Sequence, residues 1–92
     1  MIVINELIWD EFNLNHIQKH DVTQLEIVEA CQKIKLILES KFKRLAVVGK
    51  TKNNRLITFI LDKKDKDSYY LVTARDTSRT ERRMLNEKVS KK

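Results

Sequence analysis

Two helix-start signatures stand on either side of a β-rich middle, and together they restrict the fold more than any other feature of this chain. Thr23-Gln24-Leu25-Glu26 and Ser78-Arg79-Thr80-Glu81 are capping boxes. In each, the hydroxyl accepts from the backbone amide three residues on, and the glutamate reaches back to the amide of the capping residue. The first opens a helix that runs to about Lys33, in which Leu25, Val28 and Cys31 repeat at helical spacing and read as core residues. The second opens a closing helix, with Arg79, Arg82, Arg83 and Asn86 along one side and Leu85 and Val89 left for packing. Upstream, Leu7-Ile8-Trp9 reads as a short strand with Trp9 as a core anchor. Asp10 then caps a first helix over about 11–19, where Asn13, His16, Ile17 and His20 share a face.

From residue 34 the pattern changes to β-branched and alternating residues. Ile34–Glu39 is the weakest strand; Leu45–Val48, Leu56–Leu61 and Tyr69–Arg75 are stronger. Lys52-Asn53-Asn54 makes the hairpin turn between the second and third of these, because asparagine tolerates left-handed backbone. Strict alternation in the last strand puts Tyr70, Val72 and Ala74 on one face and Tyr69, Leu71, Thr73 and Arg75 on the other. The expectation is a single α+β domain over residues 1–92. It has two N-terminal helices, a three- to four-stranded, mainly antiparallel sheet and a C-terminal helix.

Several functions are excluded before any is proposed. One cysteine, Cys31, cannot make an internal disulfide framework or a thiolate zinc site. Met1-Ile2-Val3-Ile4 stops at Asn5-Glu6, too short for a signal peptide, and no run approaches the ~20 apolar residues of a membrane helix. A cytoplasmic protein without membrane contact is expected. Gly49-Lys50-Thr51 resembles the tail of a phosphate-binding loop, but the glycine required five residues earlier is Arg44, so no nucleotide cofactor is expected. His16 and His20 stand at i, i+4 without a third ligand at a recognisable spacing, and neither a metal nor any other cofactor is expected. Charge supplies the positive clue. Residues 1–30 carry six acids and one base, a net of −5, whereas residues 31–92 carry 18 bases and seven acids, a net of +11. A surface of that sign attracts phosphate polymers through counterion release.

Against this background, Trp9-Asp10, Asn13, His16-Ile17, Lys19-His20, Val22 and Glu26 resemble the amino-terminal signature of BrnT-like toxins. Tyr70-Leu71-Val72-Thr73-Ala74-Arg75-Asp76 followed by Glu81-Arg82-Arg83 resembles the strand–arginine–helix segment that closes them. The resemblance covers nearly the whole chain. It implies a RelE-like fold and the toxin of a type II toxin–antitoxin module. Such a toxin cleaves RNA, inhibits translation and is neutralised by a cognate antitoxin protein. Two family glycines are replaced, by Asp21 after the Lys-His pair and by Asn54 before the hairpin arginine. Both substitutes are residues that tolerate positive φ.

Metal-independent RNA cleavage uses the 2′-hydroxyl of the substrate as nucleophile, which leaves three tasks for the protein. It must remove a proton, neutralise the phosphate and protonate the leaving oxygen. Arg55, Arg75 and, on the last helix, Arg79 or Arg82 suit the phosphate, since guanidinium is always charged and can grip it through two bonds. His16 and His20 are the natural proton carriers, with Glu81 a further option. Lys19, Lys50, Lys52, Arg79 and Arg83 are the candidate RNA-binding cations. A structural reading stands beside each role: Glu81 as the capping-box acid, and Arg75 as a cation held by acids of the amino-terminal segment. The alternative function is a catalytically inactive RNA- or protein-binding module on the same fold.

Overall fold

The computed structural model describes residues 6–39 and 44–90, and the side chains of 6–38 and 44–87 among them. The apolar opening Met1–Ile4 and the side chain of Val89 lie outside that description. In chain order the elements are β1 (Glu6–Ile8), α1 (Glu11–Gln18), α2 (Gln24–Gln32), β2 (Ile34–Glu39), β3 (Arg44–Lys50), β4 (Leu56–Lys63), β5 (Ser68–Asp76) and α3 (Arg79–Ser90). The architecture is the expected α+β one, but with five strands instead of three or four: the weak segment at 34–39 is a full strand, and β1 joins the same sheet. The order is β1-β5-β4-β3-β2, antiparallel throughout except where β1 runs parallel to β5.

Each helix begins where the sequence places a capping residue. Asp10 accepts from the Asn13 amide at 2.9 Å, and the Asn13 side chain accepts from the Asp10 amide at 3.0 Å, so α1 too opens on a capping box. Thr23 and Glu26 make the equivalent pair for α2. Between the helices Asp21 has φ 57°, and in the β3–β4 hairpin Asn54 has φ 66°. These are the two positions expected to carry the left-handed backbone of absent glycines.

The core lies between α1–α2 and one face of the sheet. Ile57, Phe59 and Leu61 alternate along β4 and are fully buried, with Val47 of β3 and Leu71 and Ala74 of β5 beside them. Ile17, Val22, Ile27 and Ala30 close the core from above, and Trp9 packs against it half-buried. Each fully buried Phe, Ile or Leu stabilises the fold by ~1.5–3 kcal/mol. Gly49 is required by proximity: a Cβ there would overlap the backbone carbonyl of Ala30 on α2.

Two expectations about facing are corrected. Leu25 and Val28 are exposed at 65% and 41%; the core side of α2 is Ile27 and Ala30, with Cys31 half-buried at its edge. Burial pushes the Cys31 thiol up to about 11, so it remains an inert neutral group. In β5, a bulge breaks the alternation, since Ile60 pairs with Thr73 but the next residue, Leu61, pairs with Leu71. The buried set is therefore Tyr69, Leu71 and Ala74, spread over both of the faces that strict alternation would define. No helix among the described residues is long and apolar enough to cross a membrane.

Candidate functional site

Most of the nominated side chains gather at one end of the sheet, where β5 finishes, the β3–β4 hairpin turns and α3 starts. Arg75 lies opposite Thr58 in the β4–β5 register, on the face away from Phe59 and the two N-terminal helices. Its guanidinium grips Glu81 through both terminal nitrogens, at 2.8 and 2.9 Å. Glu81 also accepts from the Thr58 hydroxyl and from the Ser78 amide, each at 2.9 Å, while its own amide donates to Ser78 Oγ at 3.2 Å. The Thr58 oxygen, its proton committed to Glu81, accepts from the Thr77 hydroxyl at 3.0 Å, and the Arg82 side chain donates to the Thr77 carbonyl at 3.2 Å. One carboxylate thus caps α3, ties it to β4 and clamps Arg75. Arg75 chiefly, with the Ser78 amide and Thr58, outweighs burial and holds the Glu81 carboxyl down at about 2.

Arg55 is built into a second cluster, on the helix side of the sheet. It donates to Asp76 at 2.8 Å, to both oxygens of Glu26 at 3.0 and 2.9 Å, and to the Asp21 carbonyl at 2.8 Å. It therefore ties the hairpin to the end of β5, the start of α2 and the turn after α1. The hydrogen bond from Arg55 lowers the Asp76 carboxyl. For Glu26, burial pushes upward, but the Thr23 amide and Arg55 prevail and the shift is downward. The amino-terminal acid expected at Arg75 instead holds Arg55, through the Glu26 carboxylate, and Arg75 belongs to α3. Glu26, Asp76, Thr58 and Thr77 were not nominated. Glu26 stands in a capping box and Glu26 and Asp76 in the two resembling segments, but nothing local pairs them with Arg55; for Thr58 and Thr77 the signal is present only in the pairing register.

The remaining candidates are arranged around these clusters. His20 directly precedes Asp21, next to the Arg55 cluster, and its ring lies 5.6 Å from that of His16, one turn back on the exposed side of α1. Asn13 and Ile17, expected on the same face, are buried. Lys50 ends β3 and Lys52 sits in the hairpin turn, where its amide donates to Glu29 at 3.2 Å. Arg79, Arg82 and Arg83 are exposed on the first turns of α3. His16 and Lys19 face instead a groove between α1 and β5, beside Tyr70, which lies roughly 15 Å along the strand from Arg75. Among the described residues, no three His, Cys, Asp or Glu side chains converge as a metal site requires. Arg75, Arg79, Arg82 and Arg83 thus form a cationic group where β5 meets α3, while the two exposed histidines lie on and just after α1.

This is an α+β fold with a mixed five-stranded sheet, two capped helices against one face and a helix launched from the end of β5. Among solved structures, it is similar to the ribonuclease toxin BrnT of Brucella abortus, with a TM-score of 0.64 over 80% of this chain and 97% of that one, at 19% identity. The BrnT-like fold expected from the sequence is the fold observed. No family model and no curated protein matches the chain.

Proposed function

We propose that this chain is the toxin of a type II toxin–antitoxin module. In this reading it is a cytoplasmic, metal-independent endoribonuclease that cleaves RNA, thereby inhibits translation, and is silenced by a cognate antitoxin. The observation that carries the reading is the shared fold with a ribonuclease toxin over nearly all of that protein. The +11 balance of residues 31–92 supports the RNA part.

In the proposed reaction the 2′-hydroxyl attacks the adjacent phosphorus, its proton passes to a base, and the 5′-oxygen leaves as it takes up a proton. His20, with His16 beside it, carries the protons. Arg75 faces the phosphate as negative charge builds there, an interaction whose worth is greatest in the transition state. Arg82 assists from α3, and Lys19, Lys50, Lys52, Arg79 and Arg83 hold the flanking backbone. Glu81, at about 2, is a very weak base at neutral pH. Its part is to orient Arg75. Arg55, bonded to two carboxylates, serves the site by fixing the elements that carry His20 and Arg75.

Controlled expression with growth and RNA integrity as readouts tests the proposal. Growth arrest with cleaved RNA, relieved by the protein encoded alongside, is expected; normal growth with intact RNA would overturn it. One observation favours the second reading, an inactive binding module: both Arg55 and Arg75 are already engaged by carboxylates. RNA binding without cleavage is the outcome that reading forecasts.

A further inference from the structure

Phe12, Asn15, His16 and Lys19 stand at i, i+3, i+4 and i+7 and form one stripe along α1. The stripe looks across a solvent-open groove of about 330 Å³ to Tyr70 and Val72 of β5, with Asn13 between. That size lies at the lower end of small-ligand sites. Phe12 is 83% exposed, so its ring takes no part in the core, which α1 serves through Ile17. Tyr70, by contrast, is held in place: its hydroxyl donates to both carboxylate oxygens of Asp10 at 3.0 and 2.9 Å, and Asp10 is itself fixed as the cap of α1.

The polar groups of the groove divide in the same way. Asn13 is used up internally, accepting from the Asp10 amide and donating to the Ile8 carbonyl at 2.8 Å. Asn15 is exposed and presents both a donor and an acceptor. Lys19 closes the α1 stripe, and beside the groove the exposed Lys64 sits 5.9 Å from the centre of the Tyr70 ring and 3.3 Å from Asp62, an exposed pair that a phosphate can displace at little cost. A phosphate alone would use the lysines and ignore the rings, whereas an apolar side chain of a protein would use the rings and ignore Asn15 and the lysines. An unpaired nucleobase with its neighbouring phosphates uses all of them, because every base has a face to stack, an edge to hydrogen-bond and a charged backbone on either side.

We infer that this groove is a base-binding subsite for single-stranded RNA, in which Phe12 and Tyr70 stack, Asn15 meets the base edge and Lys19 and Lys64 hold the flanking phosphates. The inference rests on the RNA-directed role proposed above and adds to it four residues, Phe12, Asn15, Lys64 and Tyr70. It also gives the RNA a direction across the molecule, from the α1–β5 groove toward the Arg75 end of the same strand.

The test measures binding of the full chain to a labelled, single-stranded RNA octamer with uncleavable 2′-O-methyl sugars, beside binding to inorganic polyphosphate. Phe12→Ala, an exposed change that leaves the core intact, is expected to weaken RNA binding on the order of tenfold and leave polyphosphate binding unchanged. Tyr70→Leu should match it, while Tyr70→Phe, which keeps the ring, should bind nearly as well as wild type. The ratio of wild type to Phe12→Ala should persist as salt is raised, although both affinities fall. Equal RNA binding by wild type and Phe12→Ala overturns the subsite and leaves the RNA-directed role standing. Equal weakening toward RNA and polyphosphate also overturns it. Wild type that binds no RNA overturns both proposals together. Phe12-dependent binding of this RNA, with no cleavage of its unmodified counterpart, supports the subsite and sinks the nuclease reading.

Discussion

Glu81→Gln isolates the charge of the residue on which the start of α3 is organised. The amide keeps an oxygen for the Ser78 amide and the Thr58 hydroxyl, so the change removes chiefly the ionic part of the grip on Arg75. A carboxyl lowered from 4.5 to about 2 corresponds to about 3 kcal/mol of stabilisation, at 1.36 kcal/mol for each pH unit. Arg75 is 42% exposed, so solvent screens the pair and about 2 kcal/mol is the expected worth. The sign follows from linkage. The native carboxyl titrates below the unfolded one, so the stabilisation is complete above pH 4.5 and is lost as pH falls through about 2.

Urea denaturation of wild type and Glu81→Gln at pH 7 and pH 3, at one ionic strength, reads this directly. A gap of about 2 kcal/mol, roughly 1–2 M in urea midpoint, is expected at pH 7. It should shrink to less than half by pH 3. A variant as stable as wild type at pH 7, or a gap of the same size at both pH values, would show that the Glu81 charge does not hold this corner of the fold.

Three further outcomes are expected. Arg75→Ala should lower melting temperature modestly, because Glu81 loses its counterion, and should lower the cleavage rate per folded molecule about a hundredfold. His20→Ala should leave melting temperature unchanged while reducing the rate by roughly 10²–10⁴ and flattening its pH profile between about 5 and 8; normal activity per folded molecule in both variants would refute the proposed roles. Cleavage should survive a chelator such as EDTA, and its loss with rescue by a defined divalent ion would refute metal independence. Gly49→Ala should destabilise by ~3 kcal/mol or prevent folding, since the new methyl meets the Ala30 backbone and not a movable side chain; an unchanged denaturation midpoint would contradict the close approach of α2 to β3.

What the sequence made legible was local. The capping boxes at Thr23 and Ser78 and the cap at Asp10 announce helix starts because their chemistry is complete within four residues. Asp21 and Asn54 carry positive φ for a reason equally local, a side chain that tolerates it. What the sequence hid depends on partners far along the chain. Leu25 and Val28 have helical spacing, but so do Ile27 and Ala30, and only the position of β3 and β4 decides which pair is covered. The β5 bulge cannot be read from Tyr69–Arg75 because it is a mismatch between two strands. Both arginines were found by type and position, yet which acid each would meet was set by sheet register. The groove was missed for a related reason: Phe12 looks like a core residue until the fold leaves it in water.

The two paired arginines are not equivalent as phosphate ligands. Arg55 has its Nε on Asp76 and Nη1 shared between Glu26 and the Asp21 carbonyl, so only Nη2 is left, and a phosphate gripped through two nitrogens would displace one of these partners. Losing such a bond would loosen the turn after α1, which carries His20, at the moment the reaction needs it fixed. Arg75 has one carboxylate partner, is the more exposed of the two, and keeps its Nε outside the pair. It can add a phosphate at its open edge while Glu81 continues to orient it. The cost is repulsion between that phosphate and the Glu81 carboxylate. Arg79, Arg82 and Arg83 on the first turns of α3 are placed to offset it with three exposed positive charges. The charge of α3 is therefore part of the proposed phosphate site even where none of its arginines touches the scissile group, and Arg55 is the clamp that keeps the opposite wall in place.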